Sequence, residues 1–392
     1  MKDELRPSAE SKFNDVAGTQ LLSLGLNAHT PHLAQTIVDA FSGTSLAHAI
    51  VFASPSADFE DLIASLHQSF RCSVVGCTSA GEITKEGFVE DSVVVIGLPN
   101  RFFAARSVLI ENLSTSNFDD LNDMLIQNRL ALTTTNPRKT NGFSFLMVDG
   151  LSRREDQLVA AISPGLFGFP LFGGSAGDGL RFQQAAVAFD GQIYDDAATL
   201  TFVVTNCDVR VFSVNHMVPG DTRMVVTKAS PAERIVCEIN DEPAAIEYAR
   251  LIGKDPNQLD EFTFAENPVT VRVGDEFHVR AIQRVNEDGH LVFFSAIDEG
   301  MVLCVAQAED MAQHLDAELT AVVNGSSGVD ILACDCILRR IEAQKSQTRH
   351  KVNSVFTKHG VHGFSTYGEQ IGPLHVNHTL TGVALFPPHA GS

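Results

Sequence analysis

One unit of sequence occurs three times along this chain of 392 residues, and the repeat constrains the fold more than any other feature. Each copy contains an apolar strand, a helix, a second strand, and a turn of glycine with serine or threonine that ends in an acidic residue. Two more strands follow the turn. A helix that joins consecutive strands makes them parallel with a right-handed crossover, and a hairpin adds antiparallel strands. The repeat therefore predicts an α/β fold of mixed sheets, arranged in two domains.

Hydrophobic periodicity places the elements of each copy. In the first copy, a helix at 58–70 accompanies strands at 49–53, 72–75 and 92–98. In the second, a helix at 153–162 accompanies strands at 143–148, 184–189 and 198–204. In the third, one long helix at 337–357 accompanies strands at 329–333, 374–378 and 379–386. The intervening segment predicts further strands and a helix at 310–323, and it leaves open a fourth, degenerate copy.

The end of the second copy sets the domain boundary. We expect a flexible N-terminus at 1–20, because these residues are polar and terminal. One domain then spans 21–207 and another spans 208–392. No linker rich in proline, glycine or serine separates them.

Composition argues against several classes of partner. A formal net charge of −20 repels phosphate backbones and anionic lipid headgroups, so we expect no nucleic-acid partner. We also expect no membrane insertion, since no apolar run approaches the ~20 residues of a membrane-spanning helix. The basic residues clustered at 339–351 have the spacing of a solvated helix face. An N-terminus without an apolar signal segment, and seven cysteines without a pairing pattern, predict a cytoplasmic protein.

The three turns predict a polar ligand site. Their glycines allow positive φ or close backbone approach. Hydroxyl and N–H groups between the glycines can converge on a small anion or carboxylate, and the acid that ends each turn can accept a hydrogen bond from an amine. The predicted ligand-binding residues are Thr78, Ser79, Glu82, Ser175, Asp178, Ser365, Thr366 and Glu369. The alternative is that these residues only build tight turns, with the acids capping nearby N–H groups.

The turns and their surroundings resemble the FIST family. The signature turns of FIST N-terminal domains are similar to residues 74–83, VVGCTSAGEI, and to residues 171–178, LFGGSAGD. The FIST C-terminal domain is similar to residues 363–370, GFSTYGEQ, to residues 375–380, HVNHTL, and to residues 236–244, VCEINDEPA. The resemblance spans residues 20–388. It implies an intracellular sensory module, not an enzyme, for a small ligand such as an amino acid.

A more specific resemblance lies near the C-terminus. Residues 334–340, together with the segment that holds His375 and His378, resemble stand-alone FIST proteins that bind haem, sense nitric oxide and act through partner histidine kinases. This resemblance implies haem b as cofactor and a separate histidine kinase or other signalling protein as partner, and it leaves a homo-oligomer open. Haem b needs an axial ligand, most often histidine, in an apolar pocket. Residues three apart in a strand face opposite sides, so at most one of the two faces a pocket. We expect His378, which precedes an apolar strand, to bind the haem iron, with His375 second.

Other interpretations stay open. His216, Cys334 and Cys336 are weaker axial candidates, and the two cysteines alternatively form a thiol switch, part of a zinc site or a structural pair. Ser175 lies in a Gly-x-Ser-x-Gly string, the pattern of a hydrolase nucleophile elbow. A strand rather than a helix is predicted after that string, and no histidine partner is evident. We therefore expect a haem-binding nitric-oxide sensor that regulates a histidine kinase. The first alternative is a sensor of amino acids or other small polar molecules, and the second is a serine hydrolase.

Overall fold

The computed structural model describes residues 19–274 and 276–388. The predicted flexible N-terminus at 1–20 lies outside the described residues, except for its last two. Backbone N–H groups of Gln20 and Leu21 donate to the Asp330 carboxylate at 2.6 and 2.9 Å. These bonds tie the start of the described chain to the third copy of the repeat. No helix in the described part of the chain is both long and apolar enough to cross a membrane.

The described residues form twenty-six strands and nine α-helices. The strands are β1 (Leu22–Asn27), β2 (Leu46–Ala53), β3 (Ser73–Thr78), β4 (Glu82–Thr84), β5 (Gly87–Val89), β6 (Ser92–Pro99), β7 (Phe103–Ile110), β8 (Asn141–Asp149), β9 (Leu171–Ala176), β10 (Val187–Phe189), β11 (Gln192–Tyr194), β12 (Ala198–Thr205), β13 (Val209–Val214), β14 (Met217–Ser230), β15 (Ile235–Ile239), β16 (Glu242–Pro243), β17 (Val269–Val273), β18 (Glu276–Arg280), β19 (Ile282–Val285), β20 (Leu291–Phe293), β21 (Val302–Ala308), β22 (Asp330–Cys336), β23 (Val361–Thr366), β24 (Glu369–Ile371), β25 (Leu374–Val376) and β26 (Leu380–Leu385). The helices are α1 (Leu33–Ala40), α2 (Phe59–Ser69), α3 (Leu121–Thr135), α4 (Glu155–Leu166), α5 (Ala244–Ile252), α6 (Glu261–Glu266), α7 (Met311–Val323), α8 (Ile337–Lys345) and α9 (Arg349–His359).

Three units of the same topology confirm the mixed α/β fold. The first unit runs from β1 to β6, the second from β7 to β12, and the third consists of β13 and the stretch from α7 to β26. In each unit two consecutive strands are parallel: β2 with β3, β8 with β9, and β22 with β23. The last strand of each unit lies antiparallel between the first strand and that pair. The strands of the parallel pairs are buried on both faces, which explains their continuous apolar runs.

The hairpin that follows each turn belongs to the sheet of a different unit. The first unit's hairpin, β4–β5, pairs with β23 of the third unit. The third unit's hairpin, β24–β25, pairs with β9 of the second, and the second unit's hairpin, β10–β11, pairs with β3 of the first. The exchange is cyclic, so the sheet of each of the three units is completed by a hairpin from another unit. No unit can therefore separate without breaking two of the three sheets.

The inner faces of the three sheets pack against one another, and helices cover the outer faces. Phe52 of the first unit stacks on Phe364 of the third, with ring centroids 4.3 Å apart. Phe52 also meets Phe145 of the second unit edge-on at 6.3 Å. Outside this common core, α1 and α2 cover the first sheet, α3 and α4 the second, and α7 and α9 the third. The stacked phenylalanines thus join all three units at the centre.

The segment between β13 and α7 is an inserted domain rather than a fourth copy of the repeat. Its sheet has the order β18-β17-β21-β14-β15-β20-β19, and each of its described strand pairs is antiparallel. A parallel pair with a helical crossover, the mark of the repeat, is therefore not present among the described strands of this domain. Its own core includes Tyr248, Phe264 and Leu291.

The helix predicted at 337–357 is two helices. Helix α8 ends at Lys345, and α9 begins at Arg349. Between them Gln347 adopts a left-handed conformation, with φ at 57°. A left-handed residue cannot continue an α-helix, so the chain turns there.

Candidate functional site

The three glycine turns lie together and hold one another by backbone hydrogen bonds. Each turn donates at least one backbone hydrogen bond to a neighbouring turn and accepts at least one, and three of these bonds close a ring around the turns. The bonds run from Ala80 to the carbonyl of Ser365 at 2.9 Å, from Tyr367 to Ser175 at 3.2 Å, and from Gly177 to Thr78 at 3.1 Å. The chain crosses from one sheet to another at these points. The turns therefore gather at one place, where they lock the three units together.

Thr78 and Ser175 use their hydroxyl groups inside the protein. Thr78 Oγ1 accepts a hydrogen bond from the backbone N–H of Ala186 at 3.1 Å. Ser175 Oγ accepts one from Gln370 Nε2 at 3.0 Å, and Ser175 is fully buried. A loop and then strand β10 follow it, and no histidine ring among the described residues bonds to its hydroxyl. The structure around Ser175 therefore differs from a nucleophile elbow, in which a helix follows the serine.

Ser365, Thr366 and Glu369 are buried within the third unit. The Thr366 hydroxyl donates to one oxygen of Glu369, and the Thr379 hydroxyl donates to the other at 2.7 Å. Burial raises the pKa of Glu369 to about 8, so its carboxyl is largely protonated at neutral pH. None of the three residues borders the two cavities near the turns. They stabilise the turn from inside.

The other three predicted residues, Ser79, Glu82 and Asp178, line a single cavity of about 540 Å³. This turn cavity lies between the first turn, the loop after the second turn, and helix α8. Its other lining residues include Ser54, Ser56, Glu90, Asp91, Arg181, Ile337, Arg340 and Ile341. Carboxylates, hydroxyls and guanidinium groups thus surround one space, which suits a small polar molecule with groups of both charges.

Arg340 is a buried charged residue of this cavity that the turn pattern did not identify. Its side chain is 7% exposed, donates from Nη2 to the carbonyl of Val89 at 2.9 Å, and pairs with Glu90 at 3.1 Å. Its Nη1 has no hydrogen-bond partner among the described residues. Leaving a buried charged donor unpaired is costly. Guanidinium groups match carboxylates well, but Nη1 lies buried against Gly81, so the side chain must shift toward the cavity before this atom can donate to a ligand carboxylate.

Glu82 supplies the opposite charge. Its carboxyl accepts hydrogen bonds from the Ser79 hydroxyl and from the backbone N–H of Ser92 at 3.3 Å. Burial raises the pKa of Glu82 to about 7, against the lowering effects of Ser79 and Arg340. The group therefore changes charge near neutral pH, and in its ionised form it can accept hydrogen bonds from an ammonium group.

Both carboxylate oxygens of Asp178 already accept hydrogen bonds from the protein. The Tyr367 hydroxyl donates to its Oδ1, and the backbone N–H groups of Gln183 and Gln184 donate to its Oδ2 at 3.2 and 3.0 Å. The same tyrosine oxygen accepts from the backbone N–H of Phe182 at 3.2 Å. Asp178 therefore shapes the loop that walls the turn cavity.

A second cavity of about 520 Å³, the domain cleft, adjoins the turn cavity and shares Leu180, Arg181 and Ile341 with it. It lies between the second and third units and the inserted domain. Its charged lining residues are Arg153, Arg181, Arg234, Arg284 and Glu261, and its aromatic ones are Phe182, Phe293, Phe294 and Tyr367. The domain cleft therefore has four arginines, one acidic residue and aromatic walls. This lining suits a ligand with an apolar body and negatively charged groups.

The two histidines expected to hold haem are both buried, and they lie apart from the two cavities near the turns. Strand β25 ends at Val376, and His378 lies in the turn after it with φ at 60°. Its ring stacks on His216 with centroids 5.5 Å apart, and its Nε2 lies 3.5 Å from Glu342. Burial lowers the pKa of His378 to about 3, so the ring is neutral.

Neighbouring protein atoms pack around His375 as closely as they do around His378. Its Nδ1 lies 3.3 Å from Gln370 Nε2, and a β-carbon at Gly368 would overlap its Cε1 atom. A porphyrin needs open space beside its axial nitrogen. Protein atoms take up that space at both histidines, so the residues around them do not fit haem in this conformation. Haem ligation stays a prediction from the resemblance.

Comparison with known families gives two matches along the chain. Residues 47–242 match the family model of the FIST N domain, and residues 244–372 match that of the FIST C domain. Together the matches cover most of the chain. No curated protein matches the sequence significantly.

Proposed function

Since this chain belongs to the FIST family, we propose that it is a sensory protein whose turn cavity binds a small zwitterionic molecule of the amino-acid type. FIST domains are small-ligand-sensing domains of signal transduction, and this role fits a protein that is not an enzyme. The ligand class, the site and the signalling partner are parts of the proposal.

The unpaired Nη1 of Arg340 is the observation that carries the proposal. The atom belongs to a buried guanidinium that borders the turn cavity. A ligand carboxylate in the cavity would give Nη1 an acceptor after a small movement of the guanidinium away from Gly81. Hydrogen bonds to a buried charged group contribute about 1.5–3 kcal/mol, which is enough to select ligands that carry a carboxylate.

The acidic residues of the same cavity indicate that the ligand also carries an ammonium group. Glu82, Glu90 and Asp91 line it beside Arg340, and Glu82 ionises near neutral pH. An ammonium group placed among these acids and a carboxylate at Arg340 together describe an α-amino acid or a close analogue. A large side chain on such a ligand would extend past Leu180 into the domain cleft, whose walls are aromatic and cationic.

Haem b and nitric oxide form a second proposal, which the resemblance of residues 334–340 and 375–380 supports. It requires His378 or His375 to leave its present contacts. Regulation of a partner histidine kinase, or of another signalling protein, is proposed on the same ground. An absorption spectrum of protein expressed with haem supply tests the cofactor: a Soret band that shifts with nitric oxide supports it, and a spectrum without that band contradicts it.

A thermal-shift screen of amino acids, simple carboxylates and simple amines tests the first proposal, because a ligand of the native state raises the melting temperature. We expect zwitterions to raise it more than either half alone, and Arg340→Gln to abolish the shift. Arg349→Gln is the matched control, since Arg349 also pairs with Glu90, at 3.0 Å, but does not line the cavity. An equal loss in both variants, or a shift that survives Arg340→Gln, would contradict the proposed site.

A further inference from the structure

Three side chains from distant parts of the chain meet beside helix α8. His216 precedes β14, Glu342 lies on α8, and His378 lies in the turn before β26. We call them the His–Glu cluster. The two histidines are fully buried, and Glu342 is 15% exposed at its side chain. One donor atom from each residue lies within 4.8 Å of the other two.

Two of the three distances between these atoms are close to those between ligands of one metal ion, and the third is at most 4.8 Å. His216 Nε2 lies 3.0 Å from Glu342 Oε2, and His378 Nε2 lies 3.5 Å from the same oxygen. In a tetrahedral zinc site with metal–nitrogen and metal–oxygen bonds of about 2.0–2.2 Å, ligand atoms are separated by roughly 3.3 Å. An ion can therefore enter the cluster with only small side-chain movements.

His378 provides independent evidence for a ligand at the cluster. Neither of its ring nitrogens has a hydrogen-bond partner among the described residues, although the ring is fully buried. Buried polar groups in proteins are almost always partnered, and each exception requires an explanation. The residue also holds a left-handed backbone conformation, with φ at 60°, which is uncommon outside glycine. A metal ion at Nε2 would give the ring its partner.

Arg339 and Asp335 face the cluster from the other side of His216. Arg339 Nη1 lies 3.0 Å from His216 Nδ1, and its Nε donates to Asp335 Oδ1 at 2.7 Å. Arg339 Nη2 and Asp335 Oδ2 both lack partners among the described residues. A small rotation of the guanidinium would complete the two-bond pair with Asp335 and release Nδ1. His216 could then carry its proton on Nδ1 and bind a metal through Nε2, as neutral histidine ligands do.

We propose that His216, Glu342 and His378 bind one divalent transition-metal ion, with zinc as the reference ion. Two imidazoles and a carboxylate form a set that such ions favour, and three protein ligands leave a coordination position open. The site is separate from the turn cavity but shares helix α8 with it, since Arg340 and Glu342 lie on that helix. Metal occupancy would hold the helix that carries the proposed carboxylate-binding arginine.

Titration of the chelator-treated full chain with Co²⁺ tests the site, because the ion reports four-coordinate nitrogen and oxygen ligation through its visible absorption. We expect saturation at one equivalent, displacement by Zn²⁺, and a higher melting temperature with either ion. Loss of outer-shell partners alone weakens metal sites about 10–100-fold, so His378→Ala and Glu342→Gln should weaken binding by about 100-fold or more.

His375→Ala is the matched control, since His375 is also buried and lies three residues away but outside the cluster. It should keep the cobalt spectrum. If His378→Ala does not fold, the partly exposed Glu342→Gln variant decides the question. Wild-type protein that binds no cobalt would overturn the proposal, as would a spectrum unchanged in Glu342→Gln. Haem uptake that needs His378, without cobalt binding, would overturn it in favour of a haem site.

Discussion

The guanidinium of Arg340 lies over the α-carbon of Gly81, so that a β-carbon at position 81 would overlap its Nη1 atom. Gly81 has φ at 137°, a conformation that residues with side chains rarely adopt. Gly81 therefore determines both the backbone path of the first turn and the position of the buried Arg340 guanidinium. Gly81 contributes to the proposed site by positioning Arg340 and not by contacting a ligand itself.

Gly81→Ala should abolish ligand binding in the turn cavity. The new methyl group must displace Arg340, and the strained backbone costs about 1–3 kcal/mol of stability. Gly43→Ala is the control, because Gly43 also has a positive φ, of 88°, but open space at its β-carbon. Both variants should melt at lower temperature, and only Gly81→Ala should lose the ligand-induced shift. A normal ligand response in Gly81→Ala would show that Arg340 does not bind the ligand.

Affinity for an amine-bearing ligand should depend on pH through Glu82. The pKa of this carboxyl is about 7 in the folded protein, because burial raises it. Only the ionised form attracts an ammonium group, so affinity should be constant above pH 7 and fall about tenfold per pH unit below it. Calorimetric titration from pH 5.5 to 8.5 measures the slope. Glu82→Gln should bind weakly at every pH, without that slope. An identical slope in the variant would assign the titration to another group.

The repeat predicted the parallel strand pairs and their helices, because each is specified by local apolar periodicity in a continuous stretch. The exchange of hairpins was not predictable. Hairpin β4–β5 carries the same alternation wherever it pairs, and nothing in its residues distinguishes β23 from its own unit's sheet. The choice is made by the path of the glycine turns and by the stacking of Phe52 on Phe364, residues far apart in sequence.

The residues of the turn cavity were likewise only partly predictable from the sequence. Ser79, Glu82 and Asp178 were identified from the turn pattern and do line a cavity, whereas Arg340 was assigned to a solvated basic face. That prediction is wrong for Arg339 and Arg340, which are both buried. Their burial depends on partners such as Val89 and His216, and no local periodicity encodes such distant contacts.

Glu369 should make the protein less stable at alkaline pH. Its pKa of about 8 in the folded state lies above its ordinary value of 4.5, so the folded state holds this proton more tightly than the unfolded state. The stabilisation is complete below pH 4.5, falls by up to about 1.4 kcal/mol per pH unit as pH rises from 4.5 to 8, and is lost above pH 8. Glu369→Gln mimics the protonated group and should remove this part of the pH dependence. Urea denaturation between pH 6 and 9 measures the difference.

The control for that experiment is Glu90→Gln, because Glu90 is 61% exposed at its side chain and its pKa is lowered rather than raised. This variant should keep the alkaline loss of stability. If Glu369→Gln loses stability between pH 7 and 9 as steeply as the wild type, the Glu369 carboxyl is not the group that titrates.

The inserted domain should be held to the second unit by Arg234. This guanidinium is 5% exposed, pairs with Glu155 at the start of α4, and donates to the carbonyl of Phe294 within its own domain. Removing one partner of a buried pair leaves the other charge unpaired, so Arg234→Met should destabilise the protein by about 3–5 kcal/mol. Because Arg234 also lines the domain cleft, the loss should loosen the contact that closes this cleft.

A double-mutant cycle isolates the ion pair from the lost packing. Arg234→Met with Glu155→Gln removes the buried charge of Glu155 but keeps that of the partly exposed Asp156, which lies 3.4 Å from Arg234. It should recover part of the stability, giving a coupling free energy of about 0.5–3 kcal/mol. Lys228→Met is the control within the same domain, because the Lys228–Glu238 pair spans 3.7 Å between exposed side chains. Its cost should stay within about 1 kcal/mol, as for other surface pairs. Equal costs for Lys228→Met and Arg234→Met would show that the buried pair does not hold the two domains together.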